Sequence, residues 1–514
     1  MLHSGIHFKQ KGQSLLWVLG FLATMAVTFA GVYSVGQATS EKQKIANAAD
    51  AAAYTGAMVE ARALNLTAYA NRADIANEVF LAQMVSMQSW VDYMETSAGN
   101  WKTVAQALSA TVILAPYAAP AASLLSAIES GLSAAATGLE STVPAAILAV
   151  EAYYTVMDNA LKAVFGYTGA LNMALSTQSA ADAVLAANVA TQGGKLDSPP
   201  IAINKVALGA INAMEWQKAF HRYDSSTGGD AGSATDDGRR NAKDILEISR
   251  DEFSTMRKGP EFPNPLAIFF GSVKLGGCPF PEFGVSRDGP TKLKNYERWE
   301  AQDTTEYYLS SGAKCKKTGI PMGWGRSTAT NSQDSGDIKT DVHENAGYLA
   351  HENVKQNSGW SGVKALWDVS RDSNDYPVAA FKPGEETLTF TVAVAKRKTD
   401  IRNNEHASLN FMNTPNAASR LGAADAKADY MDGQISAKSE AKVFFSRPAK
   451  NNQDFTGTRL FRQDDHKEIA SLYNPYWQVR LKNVETNPLN MSAKDLAKIT
   501  AIYGANLPLA PFSQ

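Results

Sequence analysis

A chain of 514 residues, 45% hydrophobic and 19% charged, has enough material for about two to four domains and is too apolar for wholesale disorder. A net charge of −2 offers no electrostatic footing for nucleic acid, so none is expected as a partner.

The first element is the run Leu15–Val35 (LLWVLGFLATMAVTFAGVYSV), with no charge between Lys11 and Glu41. At about 1.5 Å per residue it spans roughly 30 Å, the thickness of a bilayer's hydrocarbon core. A helix satisfies all its own backbone hydrogen bonds there. Residues 14–36 therefore read as a transmembrane helix, uncleaved. Lys9 and Lys11 before the run assign residues 1–13 to the cytoplasm and the rest to the far side. The rival is a cleaved secretory signal, which has a shorter apolar core and a small-x-small site. Thr28-Phe29-Ala30 and Ser34-Val35-Gly36 match that poorly. A core helix of a soluble protein is a third reading, opposed by the adjacent basic N-terminus.

Beyond the membrane, Ile45, Ala49, Ala52, Gly56, Val59, Ala63, Leu66, Ala70, Ala73, Asn77, Phe80, Met84, Met87, Val91 and Met94 fall at alternating steps of four and three. This is a heptad-type seam along a helical stalk. Its first half is small and admits close approach; its second half is bulky, and Asn77 is a register-fixing polar member. The seam can pair with a second copy, with another protein, or with later helices of the same chain.

Those helices are supplied by residues 101–191, rich in Ala, Leu and Ser. Pro116, Pro120 and Pro144 are expected to break this stretch into pieces. The charge-free interval between Lys102 and Glu129 raises a second membrane span, but its prolines, alanines and serines favour packing against the stalk. Gln192-Gly193-Gly194 and Ser198-Pro199-Pro200 end the run. A helix over about 201–223 follows, then an exposed loop at Asp224–Gly238. Another helix is expected from Arg239 to Arg257, capped by Asp236 or Asp237. Residues 37–258 thus form a helical stalk and Ala-rich helical region.

From Gly259 the texture changes. Thr387–Ala395 (TLTFTVAVA) and Ala441–Phe445 (AKVFF) read as strands; Glu306–Leu309 and Lys364–Trp367 are weaker ones. Ala417–Tyr430 and Asp495–Tyr503 read as helices. Residues 259–514 are expected to form an extracytoplasmic α+β domain with a mainly antiparallel sheet, so the chain as a whole is α+β. Cys278 and Cys315 are the disulfide candidate for an exported domain, with two buried free thiols as the alternative.

KGQSLLWVLGFL (Lys11–Leu22), the apolar run and KIANAADAAAYTGA (Lys44–Ala57) together resemble the TadG-like branch of the Tad, or tight-adherence, pilus-assembly proteins. AKVFFSRP (Ala441–Pro448) and SLYNPYWQVRL (Ser471–Leu481) resemble the tail of its proteobacterial members. The resemblance implies a single-pass bacterial inner-membrane protein with its bulk in the periplasm. Its implied partners are the lipid bilayer and other pilus-assembly or pilin-like membrane proteins. A prepilin-type cleavage after Gly12 would want Glu where Trp17 stands, so processing as an ordinary pilin is not expected. Some relatives carry a metal-binding D-x-S-x-S motif. Here Asp368-Val369-Ser370-Arg371-Asp372 replaces its last Ser by Asp and reads as a turn.

No catalytic constellation emerges. His343 and His351 stand eight residues apart, unlike the one-turn spacing of His-Glu-x-x-His. No Gly-x-Ser-x-Gly elbow, phosphate-cradling loop or C-x-x-C pair occurs. Tyr473, Tyr476 and Trp477 in LYNPYW, like Trp360 and Trp367, read as packing aromatics. No cofactor and no metal is expected. The leading expectation is a structural pilus-assembly component, with homo-oligomerisation through the seam open. The alternative is a membrane-tethered periplasmic hydrolase with a site in the C-terminal domain. A transmembrane sensor ranks last, because the short cytoplasmic end leaves no room for an output domain.

Overall fold

The structure, a computed structural model, describes residues 13–111, 115–190, 201–202, 205–222, 243, 245–257, 282–294, 296–311, 316–330, 344–364, 366–369, 388–397, 434–446, 470–482, 496–498 and 500. The chain is α+β with mainly antiparallel sheets. Its contacts divide it into two compact units. One comprises residues 1–66, 163–220 and 369–514, the other residues 67–162 and 221–368.

Helix α1 (Gln13–Ser109) is 97 residues long and contributes to both units. No proline interrupts it, and Ser109 and Thr111 close its end by donating to the Gln106 and Leu108 carbonyls. Helix α2 (Ala115–Phe165) corrects an expectation, since it runs unbroken through Pro120 and Pro144. Pro116 lies in the first turn, where a missing N–H costs nothing. Pro144 forfeits one interior hydrogen bond, but its neighbours are pinned. Val143 and Ile147 are fully buried, and Glu140 accepts from Lys355 Nζ. By length and composition α2 would also qualify as a membrane span, with a mean hydropathy of 1.3. Only 17% of that apolar stretch is buried, while Val143, Ile147, Val150 and Tyr154 of α2 are packed within the second unit.

The first unit holds α3 (Tyr167–Ala190), β1 (Ile201–Ala202) and α4 (Lys205–Ala219). It also holds an antiparallel sheet in the order β1, β9 (Leu388–Arg397), β10 (Gln434–Phe445), β11 (Trp477–Lys482). The helix expected over 201–223 is shorter than foreseen, because Ile201 and Ala202 pair with Ala395 and Val394. Pro199-Pro200 just before them favours extended backbone. Trp216 stacks on Phe165 with centroids 5.5 Å apart and donates from Nε1 to the Val164 carbonyl.

The strands β2 (Phe220–Arg222) and β8 (Trp367–Val369) lie where the chain passes between units. The second unit's sheet contains β3 (Glu282–Asp288), β4 (Thr291–Lys294), β5 (Arg298–Ser311), β6 (Lys316–Thr330) and β7 (Val354–Ser358). β3 and β4 follow one another along β5, β5 and β6 form a long antiparallel hairpin, and β7 joins β6 in parallel. The β6 strand skips a residue at Met322, between Thr305↔Gly323 and Glu306↔Pro321, a bulge that accommodates the proline. The helix expected over 239–257 is divided. Residues 245–249 are helical, and Asp251 caps a separate turn, Glu252–Thr255, by accepting from the Ser254 N–H at 2.9 Å. Asp236 and Asp237 lie outside the described residues, as do Ala417–Tyr430. Residues 496–498 and 500 are helical.

Candidate functional site

The functional candidate is α1 itself, taken from the membrane outward. Ser14–Tyr33 has a mean hydropathy of 2.1 and none of it is buried within the protein, which fits a single membrane-spanning helix.

In the first unit α1 lays small residues against a sheet. Ala49, Ala52, Ala53 and Ala57 are fully buried. A Cβ added at Gly56 would lie 2.1 Å from the Phe390 ring of β9, so glycine is what permits the approach. Polar contacts fix the register. Ser439 donates to Asp50 at 2.6 Å, and Lys396 reaches Glu41 at 3.1 Å. Asn65 accepts from the Trp477 N–H and donates to the Trp477 carbonyl, both at 3.0 Å. Burial raises the Glu41 carboxyl, but hydrogen bonds from Lys44 and Lys396 outweigh it and hold the group below its usual range.

In the second unit the inward face of α1 mixes apolar residues, among them Leu81, Ala82 and Val85, with polar ones that bond the sheet. Ser86 meets Thr291 at 2.7 Å, Ser89 donates to Asp303 at 2.6 Å, and the Tyr93 and Thr305 hydroxyls meet at 2.8 Å. Thr96 donates to the Trp324 carbonyl and accepts its N–H, at 2.7 and 3.0 Å. The glycines are here on the strand. A Cβ at Gly325 would lie 2.2 Å from the Ser89 carbonyl oxygen, and one at Gly323 would lie 1.9 Å from Ser97 Oγ.

One turn of that face carries chemistry. Glu78 is buried and receives three donors: the Tyr154 hydroxyl at 2.7 Å, the Trp299 indole N–H at 3.2 Å and the Trp360 indole N–H at 3.4 Å. Burial pushes Glu78 up to about 7 even though those bonds favour the anion. Asp74, one turn earlier, is also buried. Its Oδ1 has no hydrogen-bond partner among the described residues. Burial, then the charges of Glu78 and Asp158, raise it to about 7. Both carboxyls line a cavity of about 10 Å³ with Ile75, Tyr154, Val363, Lys364 and Leu366, roughly the room one water needs. Asp92, further along, is lifted to about 6, chiefly by burial.

Of the seam residues, Ala49, Ala52 and Gly56 come together on the first unit's sheet, and Met84 is buried in the second unit. Val59, Ala63 and Asn77 are half-buried, while Phe80 is 43% exposed and Leu66 is 68% exposed. In the second unit α1 buries the seam members Ala70, Met84, Val91 and Met94 together with a polar set, Asn71, Asp74, Glu78, Ser86, Ser89 and Asp92. The heptad reading missed the polar set because it followed apolar residues. Two like charges one turn apart, Asp74 and Glu78, were the available signal. Cys278, Cys315 and His343 lie outside the described residues. His351 sits against Arg326 on the helix Glu344–Glu352. Tyr473 and Trp477 are buried, and Trp360, also buried, donates to Glu78 besides packing. Among the described residues no cluster of three metal-ligating side chains occurs.

Residues 12–59 match the family model described as "Putative Flp pilus-assembly TadE/G-like", covering the apolar run and the small-residue face of α1. No curated relative and no solved structure matches the chain.

Proposed function

We propose that this chain, a TadG-like family member through its residues 12–59, is a membrane-anchored structural component of Tad/Flp-type pilus assembly or surface adhesion. It acts by scaffolding and protein–protein contact rather than by catalysis. The observation that carries the reading is coincidence. The family segment, the membrane-length apolar helix and the small-residue face are one stretch of α1, and that helix continues to Ser109. The apolar helix fixes the chain in the bacterial inner membrane with its N-terminus cytoplasmic and its bulk periplasmic. The partners are other pilus-assembly or pilin-like membrane proteins and, through the exposed part of the seam, a second copy.

Protease added outside spheroplasts should digest a C-terminally tagged chain, and a tag cut only after lysis of the inner membrane would overturn the topology. Deleting the gene should abolish surface filaments or adhesion; unchanged filaments and adhesion would remove the pilus role. A photo-crosslinker placed at Phe80, which is exposed on α1, should trap a dimer in native membranes if copies meet along the seam.

A further inference from the structure

At the Asp74–Glu78 pair two buried carboxyls share a cavity with an unpartnered oxygen. Four elements of the second unit meet there. α1 brings Asp74 and Glu78. α2 brings Tyr154, whose hydroxyl also reaches the Asp74 carbonyl oxygen at 3.2 Å, together with Glu151, Tyr153 and Asp158, the last paired with Lys162. The 359–364 segment brings Trp360 and Lys364. Lys364 bonds Glu151 at 3.1 Å and lies over the Tyr154 ring. The fourth, β5, brings Trp299, with the Arg250 guanidinium over its ring.

The donor pattern says where a proton goes. Glu78 accepts three hydrogen bonds and has the Lys364 ammonium nearby, which is how a buried anion is stabilised. Asp74 Oδ1 has no donor among the described residues, and the charges of Glu78 and Asp158 act on its carboxyl, which is where an anion is least tolerable. Each negative charge makes the other harder to form, so the two titrate as a coupled pair, and the second ionisation is the costly one.

We propose that Asp74, with Glu78, is a proton-binding site that acts as a latch: protonated, it holds α2 and the 359–364 segment on α1; ionised, it releases them. The release follows from charge, because a second buried anion in a cavity with room for one water repels the first and draws solvent in. Loss of the Tyr154 and Trp360 contacts frees two elements at once.

Hydrogen exchange on the full chain in a lipid nanodisc tests this, read at residues 143–161 and 359–364 and corrected for intrinsic rates. From about pH 5.5 to about pH 7, while the closed state still holds the proton, protection should fall by up to roughly tenfold per pH unit, and it should level off by about pH 8.5 once the pair has ionised. Asp74→Asn, a neutral isostere, should stay protected and flat across that range. Lys364→Met removes the cation that favours ionisation, so its midpoint should move to higher pH. A merely structural Lys364 would instead lower protection at every pH. A flat wild-type profile, or an unchanged step in Asp74→Asn, overturns the proposal. Should Asp74→Asn fail to fold, a Lys364→Met midpoint that stays put or moves down overturns it equally.

Discussion

The two units use the same helix in opposite ways. In the first, α1 supplies the glycine and the alanines, and the sheet supplies the bulk, as Gly56 against Phe390 shows. In the second, the strand supplies Gly323 and Gly325, and α1 supplies the side chains and the backbone that fill the space. The buried charges differ at one site. In the first unit they are ion-paired, Glu41 with Lys396 and Glu440 with Lys498, the latter at 3.1 Å. In the second, Asp303 with Arg257 and Glu300 with Arg298 and Arg326 are paired too, but Glu78 takes its hydrogen bonds from neutral donors and Asp74 Oδ1 has none among the described residues. A long helix can therefore be held by shape in one place and by hydrogen bonding in another, and each mode has its own weakness.

The sharpest break is expected at Gly325→Ala. The new methyl would meet α1 backbone, the Ser89 carbonyl oxygen at 2.2 Å and the Tyr93 nitrogen at 2.5 Å, and neither can rotate away. Destabilisation of at least about 3 kcal/mol is expected, the upper end for overpacking. Proteolysis confined to the second unit would register it, and a variant as resistant as wild type would deny the close approach. Gly56→Ala is the counterpart and should cost less, about 1–2 kcal/mol. Its obstacle is a ring rather than backbone, and alanine improves helix propensity by about 1 kcal/mol. Pairing it with Phe390→Leu should recover part of the loss, which Gly325→Ala has no equivalent way to do.

The pH responses should differ in sign. Asp74 and Glu78 bind protons more tightly folded than unfolded, so their stabilisation is complete below about pH 4 and is lost as pH rises through about 7. Glu41 and Glu440 are the reverse. In Glu440 burial is outweighed by Lys498, Lys482 and Lys438, and its carboxyl is lowered. Their contribution is present above the ordinary glutamate range and is lost on acidification. Between about pH 5 and 8 the second unit should lose on the order of 2–3 kcal/mol while the first does not. Hydrogen exchange read separately at β5 and β10 measures it. Parallel profiles in the two units would show that the charge environments do not differ.

What was legible in sequence follows from range. The apolar run, the proline-free helix and TLTFTVAVA are local patterns, and they appear as Ser14–Tyr33, α1 and β9. AKVFF lies in β10, and Glu306–Leu309 lies in β5. β6 was not legible. KKTGIPMGWGRSTAT contains Pro321 and three glycines, Gly319, Gly323 and Gly325, and reads as turns. Two of those glycines serve a helix more than 200 residues earlier in the chain, and the proline sits at a bulge opposite β5; no local window holds either reason. Pro144 misled in the same way, because the contacts that hold α2 helical through it, such as Lys355 on Glu140, come from elsewhere in the fold. The Asp74–Glu78 site was hidden for a third reason. Polar residues on a helix default to the solvated face, and only their burial by β5, α2 and the 359–364 segment makes them a site.

The smallest expected effect concerns how α1 holds strand ends. Asn65 grips both the N–H and the C=O of Trp477, standing in for a neighbouring strand at the start of β11. Asn65→Ala removes one donor and one acceptor and should cost about 1–2 kcal/mol. Asn65→Asp separates the two halves. It keeps the acceptor for the Trp477 N–H, loses the donor, and sets a carboxylate against the Trp477 carbonyl oxygen. If the grip works as a strand mimic, Asn65→Asp should be the worse of the two, and faster hydrogen exchange should be confined to β11 and its partner β10. Equal effects from both substitutions would mean that Asn65 acts through packing alone, and the first unit would then be held by shape even at its polar contacts.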